Sequence, residues 1–133
     1  MELITENPIP TVELLSQAHH RKAGAVVLFS GEVRNHHEGQ DVGYLEYECH
    51  KPMAEKMIRG IVDKAQERWD LHHAVCVHRV GRLEIGESAI VVITSSAHRE
   101  EAYSANRYIV DQVKKEVPIW KKEYFADGKE IWR

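Results

Sequence analysis

Two stretches of helical periodicity are set among strand-like runs that come in pairs, and this pattern limits the fold more than any other feature of the chain. From Pro52, apolar Met53, Met57, Ile58, Ile61, Val62, Ala65 and Trp69 recur at the spacing of one helix face. Glu55, Lys56, Arg59, Asp63, Lys64 and Glu67 fill the opposite face. Ala97–Val117 repeats the pattern with Ala102, Ala105, Ile109, Val110 and Val113 inward. Pro118 ends that helix, because proline lacks the amide donor and clashes with the preceding turn.

Around these helices, Ala25–Arg34, Tyr44–Cys49, Ala74–Val80, Arg82–Ile85, Ser88–Ser95 and Ile119–Phe125 read as strands. Asp127-Gly128 is a turn signal, after which Lys129–Arg133 returns as a last strand. A short helix starts at Thr11, with Leu14, Leu15 and Ala18 on one face, and Gly24 closes it. Asn35–Gly43, polar with two glycines, reads as a mobile loop. Parallel strands need a long crossover between them, and paired strands with only two long helices do not supply it. The expectation is α+β, with a mainly antiparallel sheet and one domain over residues 1–133.

The longest apolar runs, Ala25–Phe29 and Ala89–Thr94, fall far short of the ~20 residues that span a bilayer. Met1–Pro10 has no basic segment followed by an apolar one, so no secretory signal is expected. Two cysteines make no disulfide framework, and the expected location is the reducing cytoplasm. Lys plus Arg number 18 and Asp plus Glu 21, a net charge of −3. That balance opposes general nucleic-acid binding but permits a local cationic pocket.

Nine histidines invite a metal reading, but they fall as adjacent pairs or singly, with no HExxH and no CxxC. Adjacent histidines diverge on a strand or helix and chelate poorly, so no metal site is expected. Cys49 and Cys76 read as small buried apolar side chains; the sharper alternative pairs one of them, as a nucleophile, with His50 or His78. No GxSxG, phosphate loop or dinucleotide fingerprint occurs.

The informative cluster is cationic. Ser95-Ser96-Ala97-His98-Arg99 lies where a strand turns into a helix, whose first amides favour anions. A basic pair at that end opposes the helix dipole. His98 and Arg99 therefore either face a bound anion or form a solvated pair. Lys114, in the last turn of the second long helix, sits where the dipole favours it. Lys121 and Lys122 alternate on a strand, so if one sheet face is buried, one lysine lines a pocket or interface. An exposed edge strand is the other possibility.

Three segments, Phe29-Ser30-Gly31-Glu32-Val33-Arg34-Asn35, Ser95-Ser96-Ala97-His98-Arg99 and Pro118-Ile119-Trp120-Lys121-Lys122-Glu123, stand in an order and spacing that resemble the catalytic subunit family of molybdopterin synthase. His78-Arg79-Val80-Gly81 is similar to its HRxG segment, and the likeness runs from about Ala23 to Trp132. The resemblance implies a hammerhead α+β fold and conversion of cyclic pyranopterin monophosphate to molybdopterin. It implies sulfur delivered as a thiocarboxylate on the Gly-Gly tail of a small ubiquitin-like subunit, a homodimer with one small subunit at each end, and no cofactor or metal. By motif position it puts the active-site lysines at Lys114 and Lys121, the anion pocket at Arg34, His98 and Arg99, and the tail channel at Phe29. Lys121 is the expected principal catalytic residue, with Lys114 supporting it and Lys122 on the other side of the strand. Some members extend a late arginine across the dimer; the resemblance does not assign that role to a residue here, where the sequence ends at Trp132-Arg133. Two other classes make distinct predictions. A noncatalytic module that binds a peptide tail would transfer no sulfur, and a cysteine hydrolase would lose activity on thiol alkylation.

Overall fold

The computed structural model describes residues 2–133, and its strands separate into two sheets. The elements run β1 (Ile4–Thr5), α1 (Thr11–Ala18), β2 (Ala25–Glu32), β3 (His36–His37), β4 (Gln40–Cys49), α2 (Lys51–Arg68), β5 (Leu71–Arg79), β6 (Gly81–Glu84), β7 (Ser88–Ser96), α3 (Arg99–Glu116), β8 (Ile119–Phe125) and β9 (Glu130–Trp132). The first sheet has the order β1-β5-β7-β2, and the second the order β3-β4-β8-β9 with β6 also paired to β4. Apart from the parallel β1–β5 pair, the described ladders are antiparallel.

The first sheet is covered on both faces, which is why β5 and β7 read as nearly unbroken apolar runs. Cys76, Ile90 and Val92 face α2 and α3, packing with Ile58, Ile61, Ile109 and Val113. Val75, Val77, Val91 and Ile93 face the other way and are capped by Leu14 and Ala18 of α1. The second sheet has a core of its own in Val33, Val42, Leu45, Leu83, Ala89 and Phe125. Asn106 ties α3 to the first sheet through its side-chain amide, which donates to Val27 O at 3.1 Å and Val92 O at 3.0 Å.

Three features depart from the sequence reading. The strands divide between two sheets, a partition that the expectation of a mainly antiparallel sheet did not contain. Asn35–Gly43 is not a free loop: β3 and the start of β4 form a hairpin whose turn residues, Glu38 at φ 51° and Gly39 at φ 79°, both adopt left-handed backbone. Such turns normally advertise themselves with Asn-Gly or Asp-Gly, and Glu38 hides the signal. The third is β1, two residues long and pinned in place by the Glu55 carboxylate, which accepts from Leu3 N at 2.8 Å and Ile4 N at 3.2 Å. A strand held by a side chain 51 residues away has no local pattern to find.

Candidate active site

A cavity of about 570 Å³ opens where the two sheets meet the C-terminal end of α3. Pro118 separates α3 from β8, and the short turn from Val117 O to Ile119 N (2.9 Å) brings the strand back beside the helix end. Lys114 and Lys121 consequently line the same cavity, joined by Arg34 from the segment after β2.

Strand β8 decides which lysine enters. Lys121 stands opposite Tyr47 of β4, and directly opposed residues of an antiparallel pair share a face. Lys122 stands opposite Glu46 on the other face, 2.9 Å from the Glu130 carboxylate and close to the rings of Tyr124 and Trp132. Glu130 holds the Lys122 ammonium above the usual lysine range.

Arg133 also lines the cavity, which nothing in its sequence context signals. Its backbone pairs with Lys121 across the β8–β9 ladder, and its Nε donates to the Glu123 carboxylate. Glu123 is 3% exposed, with His37 Nδ1 3.6 Å away on its other side. Tyr47 and His78 complete the inner wall, with their rings edge to face at 5.1 Å. Burial, together with the Glu123 charge, pushes the Tyr47 phenol up to about 12, so it is neutral. Burial likewise pushes His78 down to about 4, and the charge of Lys114 acts in the same direction. The alternation of Tyr44–Cys49 was the one sequence signal able to place Tyr47 inward.

The cavity thus gathers four cationic side chains, Arg34, Lys114, Lys121 and Arg133, against one lining carboxylate, Glu32. Phe29 is not part of its wall. It lies half-buried on β2, two residues before Gly31, and packs against the core under α2 and α3. Gly31 does line the cavity, and a Cβ there would sit 2.7 Å from Ile90 Cγ2.

His98 and Arg99 lie elsewhere. Both are exposed at the opposite end of α3, fifteen residues before Lys114, or about 22 Å along the helix at 1.5 Å per residue. Within one chain, Arg34, His98 and Arg99 do not form a common pocket.

Neither cysteine has an activated thiol. Cys76 is fully buried, and burial raises it to about 12; Cys49 is raised by burial and by Glu55. A thiolate nucleophile needs the opposite shift. Among the described residues, no group of three His, Cys, Asp or Glu side chains is placed to hold a metal ion, and no helix is long and apolar enough to cross a membrane.

The fold and cavity define an α+β protein that gathers lysine and arginine side chains around one cavity, a lining whose charge suits an anionic ligand. Residues 4–116 match the family model described as MoaE protein. The molybdopterin synthase catalytic subunit of Bacillus subtilis is 42% identical over 127 residues, covering 96% of this chain and 81% of that protein. The protein of the same name from Thermoplasma volcanium is 40% identical, covering 97% and 94% respectively. Among solved structures, molybdopterin synthase from Staphylococcus aureus superposes with a TM-score of 0.92 at 41% identity, covering 99% of this chain and 96% of that one. The chain belongs to the MoaE family.

Proposed function

We propose that this chain is the catalytic subunit of a cytoplasmic molybdopterin synthase. It transfers sulfur from the C-terminal thiocarboxylate of a small ubiquitin-like subunit to cyclic pyranopterin monophosphate. The observation that carries this proposal is the meeting of Lys114 and Lys121, from separate elements, in one cavity with Arg34. Both reactants are anionic, and charge-assisted hydrogen bonds from arginine and lysine suit them.

The thiocarboxylate sulfur attacks a carbon of the pyranopterin, forming a thioester to the tail as a carbon–oxygen bond to the cyclic phosphate breaks. Water then cleaves the acyl–sulfur bond, leaving sulfur on the pterin and a carboxylate on the tail, and a second thiocarboxylate supplies the second sulfur. Lys121 stabilises the negative charge that develops, and Lys114 supports it from the helix end. The Gly-Gly tail enters past Phe29 and Gly31, since glycines let a backbone thread a passage too narrow for side chains. A noncatalytic tail-binding module would leave the converging cations without a task. Incubation with thiocarboxylated small subunit and cyclic pyranopterin should yield the dithiolene product, and its absence would reject the proposal.

The 22 Å between the two ends of α3 bears on assembly. If His98 and Arg99 hold the same substrate as Lys121, a second copy must supply them. We therefore assign them to the partner's cavity in a homodimer. A two-fold dimer then has two composite sites. Lys121→Ala and Arg99→Ala chains should each be nearly inactive alone. Mixed and allowed to exchange, they should recover about a quarter of wild-type activity, because half the dimers are hybrid and each hybrid carries one intact site. No recovery, with exchange verified by mass spectrometry, would show that His98 and Arg99 serve their own chain.

A further inference from the structure

His78 lines the cavity, yet the proposed chemistry assigns it no task. Its place on β5 is tightly fixed. Its amide donates to Leu3 O at 2.8 Å, and its ring Nδ1 lies 2.8 Å from Arg79 O. A carbonyl oxygen cannot donate, so the hydrogen of the ring contact belongs to Nδ1. In a neutral imidazole, Nε2 is then left with a lone pair and no hydrogen. The residue is 7% exposed and its ring packs against the Tyr47 ring, surroundings that disfavour a second proton. Among the described residues, the buried side-chain atoms left without a partner are His73 Nε2, Ser95 Oγ and Glu101 Oε2. His78 Nε2 is not one of them, and among the described residues the ring hydrogen-bonds through Nδ1 alone. Among the described residues Nε2 is therefore unpaired, and it is not wholly buried.

Its value lies in what surrounds it. Arg34, Lys114, Lys121 and Arg133 can only donate hydrogen bonds. They suit a phosphate or a thiocarboxylate but cannot accept from the ring N–H and amino groups of a pterin. A carboxylate at position 78 would accept, but its charge would repel both anionic reactants and neutralise the lysines. A neutral imidazole held as the Nδ1–H tautomer accepts without adding negative charge. We infer that His78 is a substrate-orienting residue whose Nε2 accepts a hydrogen bond from an N–H group of the bound pyranopterin. The inference rests on the proposed substrate and adds to it a polarity rule: the cations take the phosphate side, and His78 takes the pterin edge.

The test uses the whole chain labelled with ¹⁵N-histidine. In the free protein, the His78 ring should show the Nδ1–H tautomer. On saturation with cyclic pyranopterin monophosphate, its Nε2 resonance should move towards the hydrogen-bonded range while Nδ1 keeps its proton. His78→Asn retains a donor near Arg79 O but cannot reach as far as Nε2, and its pyranopterin dissociation constant should rise about tenfold or more. His78→Gln carries an amide oxygen out to that position and should recover most of the loss. Wild-type binding with an unmoved Nε2 resonance would overturn the inference and leave the proposed function standing. So would a His78→Asn variant that binds as wild type. Failure of the wild-type protein to bind pyranopterin would overturn both.

Discussion

Lys121→Ala should lower the rate of dithiolene formation by about 10²-fold or more, the usual scale for one acid–base or charge-stabilising group. Lys122→Ala should change it little. The two lysines are neighbours with the same charge, and only strand geometry separates them. Lys121 faces the cavity opposite Tyr47 and shares its lining with Lys114 and Arg133. Lys122 faces out towards Glu130 and the half-exposed Trp132. Neither side chain is buried in a core cluster, so circular dichroism and thermal melting should match wild type for both variants. Single-turnover assays with preformed thiocarboxylate separate chemistry from subunit exchange. A more damaging Lys122→Ala, with Lys121→Ala near normal, would refute the assignment of Lys121 as the principal catalytic residue.

Acidification from pH 6.5 to pH 4 should weaken folding by about 3 kcal/mol through His78 alone, at 1.36 kcal/mol for each unit between its unfolded and folded pKa. The unfolded imidazole titrates near 6.5 and the folded one near 4. Between these values the unfolded chain binds more protons, so stability is complete above pH 6.5 and drains away as the pH falls towards 4. Burial is the main cause, and the nearby Lys114 charge adds to it. His73, whose pKa burial also lowers, acts with the same sign. Urea unfolding of wild type and His78→Asn across this range isolates the His78 contribution, since the variant lacks the titrating ring. Equal pH slopes for the two proteins would mean that His78 is not held neutral in the folded state.

Much of the framework was legible locally. The apolar spacing of α2 and α3, the stop at Pro118, the full span of β8 and the Asp127-Gly128 turn, with Gly128 at φ 91°, all follow from near-neighbour sterics and periodicity. Strand alternation also meant that, with one sheet face buried, a single one of Lys121 and Lys122 turns inward. It could not say which, because the inward face is defined by what covers it.

That covering is nonlocal. The cavity exists because β8 pairs with β4, because β5 and β7 carry His78 and Ile90 to the junction of the two sheets, and because β9 returns Arg133 beside Lys121. Gly31 and Arg133 stand 102 positions apart and line one cavity. No spacing rule links residues so distant, since their approach depends on sheet order and ladder register. The same length scale that made α3 legible separates Arg99 from Lys114, a fact that has meaning only once the cavity is fixed at one end of the helix. Interactions between residues a few positions apart set the long elements, their class and the cationic chemistry. Which cations meet, and which histidine stays neutral, follows from long-range packing, because packing sets distance and burial, and these govern charge.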